Sequence, residues 1–177
     1  DLLGRLDEKD TRDRTVYALQ NRYSVDISLA TRLEATALQL FEQVHEPWNI
    51  PKDAGIRFLR WTAQLHEIGR SLSFSGYHRH GAYIIENSDL PGFSRDDKAL
   101  LAALIGTHRR KLTKDRLGHY VSSGRIETTL RLAILLRLAH RLHRTRSRRQ
   151  LPELDLDVGP TSAVLTIDRQ WLEAHPL

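Results

Sequence analysis

The chain has 177 residues, 40% of them hydrophobic and 28% charged, with a formal net charge of +5 at pH 7. That length and apolar content suit one core-forming domain, or one domain with a small appendage, and the basic balance favours an anionic partner. The absence of Cys excludes disulfides and thiolate metal sites, and Arg131 and Arg137 interrupt the longest apolar stretch, so no membrane-spanning helix is expected.

The first strong local signals are Asp10-Thr11-Arg12-Asp13, several possible helix caps, and a short helix is expected over 13–22. Asp26 is a plausible N-cap for a longer helix, in which Ala30, Leu33, Ala37, Leu40, Phe41 and Val44 recur at helical spacing. Glu46-Pro47-Trp48 should end it, because proline lacks the N–H and restricts its predecessor. A helix opening at Pro51-Lys52-Asp53 carries Ile56, Leu59, Trp61, Ala63 and Leu65, with Gly69 as its expected stop. Residues 71–77 read as a loop, and His80–Asn87 as a helix. Leu90-Pro91-Gly92-Phe93 reads as a turn, and Ser94 with Asp97 as a capping pair before Leu100, Leu101, Leu104 and Ile105. Ile126–His143 is the strongest buried helix. After it the period becomes two: Leu154–Val158 and Val164–Ile167 alternate around Gly159-Pro160-Thr161-Ser162, the pattern of a hairpin. The expected fold is therefore mainly α, a helical domain over 1–150 followed by a hairpin that begins a small α+β piece over 151–177.

Chemistry-bearing residues concentrate in Leu65-His66-Glu67-Ile68-Gly69, Tyr77-His78-Arg79-His80 and Thr107-His108-Arg109-Arg110-Lys111. Two basic clusters accompany them: Arg109, Arg110, Lys111, Lys114 and Arg116, and Arg141, Arg144, Arg146, Arg148 and Arg149. Arg137, Arg141, Arg144 and Arg148 fall at spacings that share one helix face. Such groups attract phosphate through field and forked hydrogen bonds, or else simply solvate helix ends.

Arg22-Tyr23-Ser24-Val25-Asp26, LHEIG at 65–69, YHRHGAYIIENSDLPGF at 77–93, THRRK at 107–111 and LAILLRLAHRLHRTR at 132–146 resemble the C-terminal region of the exopolyphosphatase / guanosine pentaphosphate phosphohydrolase family. The resemblance implies a helical bundle like that of HD-type phosphohydrolases. It also implies a catalytic domain N-terminal to this region, magnesium for the parent enzyme and no cofactor here. The chain is accordingly expected to be a truncated, cytoplasmic segment of a homodimeric protein that binds inorganic polyphosphate or guanosine polyphosphate and has no catalytic residue of its own. The expected polyphosphate-binding residues are His78, Arg79, His80, His108, Arg109, Arg110, Lys111, Arg137 and Arg141, with Tyr77 and Tyr83 bordering the channel.

HD-type enzymes hold metal with an early His, an adjacent His-Asp pair and a late Asp. Carried over by position, these fall on Leu29, on His66-Glu67 and on His140, a degenerate set in which no metal is expected. Instead, His66 and Glu67 should form a buried hydrogen-bonded pair. The alternative function is a metal-dependent HD-type phosphohydrolase acting on guanosine polyphosphates, with His66, Glu67 and His140 as ligands and His78, His80 or His108 as a fourth. A nucleic-acid-binding helical domain is a weaker third reading, because neither Arg cluster contains an aromatic residue for base stacking. No Gly-rich nucleotide loop, nucleophile elbow or H-E-x-x-H motif is present.

Overall fold

A computed structural model describes residues 2–148 and 150–175, with side chains from residue 11 onward. Arg149, assigned above to the second basic cluster, lies outside the described residues. Helix α1 runs over Leu2–Arg22, well before the expected start at 13. Gly4 and the dense mixed charge of residues 5–10 hide the helical period there. Val16 and Leu19 anchor it to the core, and Trp61 Nε1 donates to Asp13 at 3.1 Å.

Helix α2 spans Ile27–Val44 and starts as expected, with the Asp26 side chain accepting from the Leu29 N–H at 3.0 Å. Its buried stripe of Leu33, Ala37, Leu40, Phe41 and Val44 packs on α3, Lys52–Leu65, and on α7, Ile126–Leu142. Helix α4 covers Tyr77–Asn87, one turn earlier than expected, because Gly76 at φ +69° swings the chain directly into it. Helix α5, Arg95–Thr107, opens with the full Ser94–Asp97 capping box. Two short helices carried no readable period: α6, Lys114–Gly118, capped by Thr113, and α8, Arg169–Ala174, capped by Asp168. Leu65, Leu101, Leu104, Ile105, Leu135, Leu136 and Ala139 complete the centre of the core.

Gly69 does not end α3 as expected. The helix stops at Leu65, and Gly69 lies inside a 3-10 turn over Ile68–Ser71. Its requirement for glycine is steric: a Cβ there would strike the Tyr77 carbonyl oxygen and the backbone nitrogen of Gly81 on α4. This close approach fixes the C-terminal end of α3 against the first turn of α4, where the histidines meet.

The strands are β1, Leu154–Val158, and β2, Ala163–Ile167, paired antiparallel with Leu156 opposite Leu165. Leu154 and Leu156 are buried while Asp155 and Asp157 face out. Gln43 of α2 acts as a substitute strand neighbour: its Nε2 donates to the Leu154 carbonyl at 3.0 Å and its Oε1 accepts from the Leu156 N–H at 2.8 Å. These two bonds lay the hairpin on the helical layer. No helix among the described residues is long and apolar enough to cross a membrane.

Candidate functional site

Four helices deliver histidines to one place. His66 caps the C-terminus of α3 and His108 that of α5. Each uses the same local device: Nδ1 bonds the carbonyl three residues back, Ala63 at 2.7 Å and Ile105 at 2.6 Å. Helix ends leave carbonyls without intrahelical partners, so the imidazole satisfies one of them. The bond places the proton on Nδ1 and leaves the Nε2 lone pair facing inward. Among the described residues neither Nε2 has a hydrogen-bond partner.

His140 on α7 and His78 on α4 complete the cluster. Ring centroids lie 5.5 Å apart for His66–His108, 6.0 Å for His66–His140, 5.1 Å for His108–His140 and 6.4 Å for His78–His108. The Tyr77 hydroxyl bonds His140 Nε2 at 3.2 Å, and the Arg109 guanidinium lies 4.7 Å from the Tyr77 ring centre. Burial pushes His66, His78 and His140 down to about 4, and His108 well below its ordinary value. Nearby arginines push His66, His78 and His140 the same way, Arg146 at His66 and Arg109 at the other two. The cluster is therefore neutral near pH 7.

Glu67 follows a different path. The expected His66–Glu67 hydrogen-bonded pair does not form, because His66 is taken by its own helix end. Glu67 Oε1 accepts instead from Arg70 Nη1 at 3.0 Å and from Arg146 Nη2. Arg146 also reaches Asp26 Oδ2 at 3.3 Å, so one guanidinium bridges the cap of α2 and the carboxylate after α3. Burial still raises the Glu67 pKa, with Arg146 opposing.

The positions carried over from the HD pattern have these surroundings. Leu29 supplies no donor, Arg146 holds Glu67, and Tyr77 holds His140. Among the described residues, no group of three or more His, Asp or Glu side chains is arranged to hold a metal ion.

Beside the histidines opens a cleft. One cavity of about 540 Å³ is lined by His108, Arg109, Arg110, Ile134, Arg137, Leu138, His140, Arg141 and Arg144. Five of these are arginines, and no carboxylate is among them. Arg137 is held in place by donating to the Thr107 carbonyl at 2.9 Å, which closes the end of α5 against α7. Burial lowers the pKa of Arg137, reinforced by Arg116. A second cavity of about 320 Å³ adjoins it, sharing Arg109, His140 and Arg144 and adding Leu29, Leu33, Glu67, Phe74, Tyr77, His143 and Arg146.

Of the residues expected to bind phosphate, the cleft brings together His108, Arg109, Arg110, Arg137 and Arg141. His78 is buried behind it in the cluster. Arg79 is exposed over Gly76, His80 is half-buried against Gly69, and Lys111 is exposed; none of the three lines the cleft. Tyr77 borders the cleft, whereas Tyr83 is exposed elsewhere on α4. The expected helical stripe breaks at Leu142, so Arg148 lies beyond α7, while Arg144 reaches the cleft from the turn after it. Sequence reasoning missed Phe74 and the bridging role of Arg146; neither sits in a periodic pattern.

A family model described as Ppx/GppA phosphatase, domain III, matches residues 11–177. The chain belongs to this domain family. It is 37% identical over 177 residues to the guanosine-5'-triphosphate,3'-diphosphate pyrophosphatase of Aeromonas hydrophila, covering 99% of this chain and 35% of that protein. The protein of the same name from Vibrio vulnificus is 36% identical, with 100% and 35% covered, and that from Pseudoalteromonas translucida 34%, with 99% and 35% covered. The chain thus corresponds to a C-terminal domain that makes up 35% of these relatives. The helical bundle and hairpin read from the sequence are the fold of this domain III.

Proposed function

We propose that this domain III grips the phosphate chain of its parent enzyme's substrate, guanosine polyphosphate or inorganic polyphosphate, while phosphoanhydride hydrolysis takes place in an N-terminal domain of the same protein. The observation that carries the reading is the cleft of five guanidiniums, with no opposing carboxylate among its described lining residues. A guanidinium presents rigid paired donors that match phosphate oxygens, and several along one groove suit a polyanion better than a single small anion. The relatives' names supply the phosphate-rich substrate class. In the parent enzyme, magnesium would offset part of the substrate's charge. Self-association belongs to the same proposal. Tyr17 and Tyr83, 65% and 64% exposed on α1 and α4, are the aromatics it would cover; a single monomeric species at all concentrations in sedimentation velocity removes that part.

Polyanion binding releases counterions, so affinity should fall steeply with salt. Arg141→Gln with Arg144→Gln removes two exposed guanidiniums without touching the core. Titration of inorganic tripolyphosphate at several salt concentrations should show about a tenfold or greater loss of affinity, since hydrogen bonds to charged groups are worth roughly 1.5–3 kcal/mol each. The salt slope should become shallower by roughly one for each phosphate that the variant no longer neutralises. Unchanged affinity and slope would overturn the assignment.

A further inference from the structure

The run of arginines does not stop at the end of the cleft. Arg109 and Arg144 line both the cleft and the second cavity, and Arg146 lines the second cavity beyond them. A third cavity, of about 520 Å³, is bordered by Arg22 and Arg70. Arg146 and Glu67 line the second cavity and the third alike, so this one ion pair stands between them. Among the described lining residues of the second cavity, Glu67 is the one carboxylate. Arg146 thus differs from the cleft arginines in a single respect: its charge is already taken.

Three observations make that commitment exchangeable. First, the strap is anchored at its outer end to a half-exposed partner. Arg146 Nη1 donates to Asp26 Oδ2 at 3.3 Å, with side chains 40% and 44% exposed, and ion pairs of that exposure hold weakly. Second, Glu67 does not depend on Arg146 alone. Arg70 Nη1 donates to the same Oε1 at 3.0 Å, so the carboxylate keeps a cation when Arg146 leaves. Third, the Arg146 backbone sits at φ +57°, a conformation that residues with a Cβ seldom adopt, in the turn just after α7. A phosphate oxygen offers Arg146 the same charge-assisted bond that the carboxylate does. Moving from one to the other exchanges partners and also relieves the backbone.

We infer that Arg146 is a latent phosphate-binding residue and that Glu67 is the autoinhibitory contact holding it in reserve. A short anion is satisfied by the open arginines of the cleft and leaves the strap closed. A polyanion long enough to continue from the cleft into the second cavity competes with Glu67 for Arg146 and gains one more guanidinium. This rests on the phosphate-gripping reading above and adds to it a regulation by ligand length.

The test is calorimetric titration of the 177-residue chain with long-chain linear polyphosphate and with pyrophosphate. Glu67→Gln frees Arg146 and should tighten the long ligand by about tenfold, as one added hydrogen bond to a charged group would. Pyrophosphate should bind both chains equally. In an Arg146→Gln background the same Glu67→Gln change should alter polyphosphate affinity by no more than about twofold, because the long-range field of the carboxylate is all that then remains to be removed. Asp26→Asn keeps an oxygen to cap the Leu29 N–H and loosens the strap from outside; it should tighten the long ligand by roughly two- to threefold and keeps the test open if Glu67→Gln does not fold. Thermal unfolding of each variant verifies folding. A Glu67→Gln gain that is equal with and without Arg146, or equal for the two ligands, overturns the inference and leaves the arginine cleft standing, as does the absence of any gain. If the unaltered chain binds neither ligand, the phosphate-gripping reading falls and this inference falls with it.

Discussion

Arg146 is the most exposing test of how this site is held together. Glu67 is a carboxylate with only 6% of its side chain accessible, and two guanidiniums neutralise it. Arg146→Ala removes one of them. Deleting one partner of a fully buried ion pair costs about 3–5 kcal/mol, because the remaining charge stays desolvated and unpaired. Two facts reduce that figure. Arg146 is itself 40% exposed, and Arg70 remains at 3.0 Å from Oε1. About 2 kcal/mol is the reasonable expectation, equivalent to a fall of roughly 4–8 °C in melting temperature for a domain of this size. The loss has a pH signature. Burial already raises the Glu67 pKa, and removing Arg146 takes away the main opposing influence. A carboxylate whose folded-state pKa is raised destabilises the fold above that pKa and ceases to do so as pH falls through it. The Arg146→Ala penalty should therefore shrink as pH falls from 7 toward the carboxylate range. Adding Glu67→Gln should recover most of it at pH 7. Urea denaturation of the single and double variants at several pH values measures all of this. If Glu67→Gln leaves the Arg146→Ala loss intact, the two residues are not a coupled pair.

Two further outcomes follow from the packing of the site. Gly69→Ala would push a methyl group into the backbone of Tyr77 and Gly81, and should cost about 1–3 kcal/mol or more; a melting temperature equal to that of the unaltered chain would contradict the close α3–α4 approach. Acid should destabilise the fold through its buried imidazoles. The His66 pKa is lowered from 6.5 to about 4, so the unfolded chain binds the proton more readily between those values. The contribution of this histidine is fully present above 6.5 and lost as pH falls toward 4, a change on the order of 3 kcal/mol. His78, His108 and His140 are shifted in the same direction, while Glu67 alone among these groups acts in the opposite sense. Stability measured by denaturant between pH 7.5 and 4.5 should fall steadily; a flat profile would mean that the imidazoles are hydrated in the native state.

The features legible in the sequence were those written in local patterns. The Asp26 cap, the Ser94–Asp97 box, the period of α7 and the alternation of Leu154 and Leu156 each needed only neighbouring residues. Placing Arg109, Arg110, Arg137 and Arg141 together needed only that α5 and α7 pack side by side. What was illegible depends on the meeting of distant segments. Gly69 resembled a helix stop because glycine serves both for a positive φ and for a close approach, and only the position of Tyr77 separates the two uses. His66 and Glu67 resembled a pair because they adjoin, yet adjacent residues on a helix end point in different directions. Each found its partner elsewhere, one in the carbonyl of Ala63 and the other in a guanidinium 79 positions later.

That guanidinium balances the buried carboxylate where the cap of α2 meets the end of α3. A carboxylate buried as deeply as Glu67 requires a positive charge beside it. Here Arg146 brings a fixed charge from the segment that follows α7, and its backbone adopts φ +57° where it does so. The imidazoles stay neutral, and His66 and His108 commit their protons to helix-end carbonyls. Positive charge beyond Arg146 and Arg70 gathers on the outer side of the cluster, on Arg109, Arg110, Arg137, Arg141 and Arg144, which line the open cleft. Arg146 and Arg70 are thus committed to Glu67, whereas the arginines of the cleft line a cavity with no carboxylate among its described lining residues.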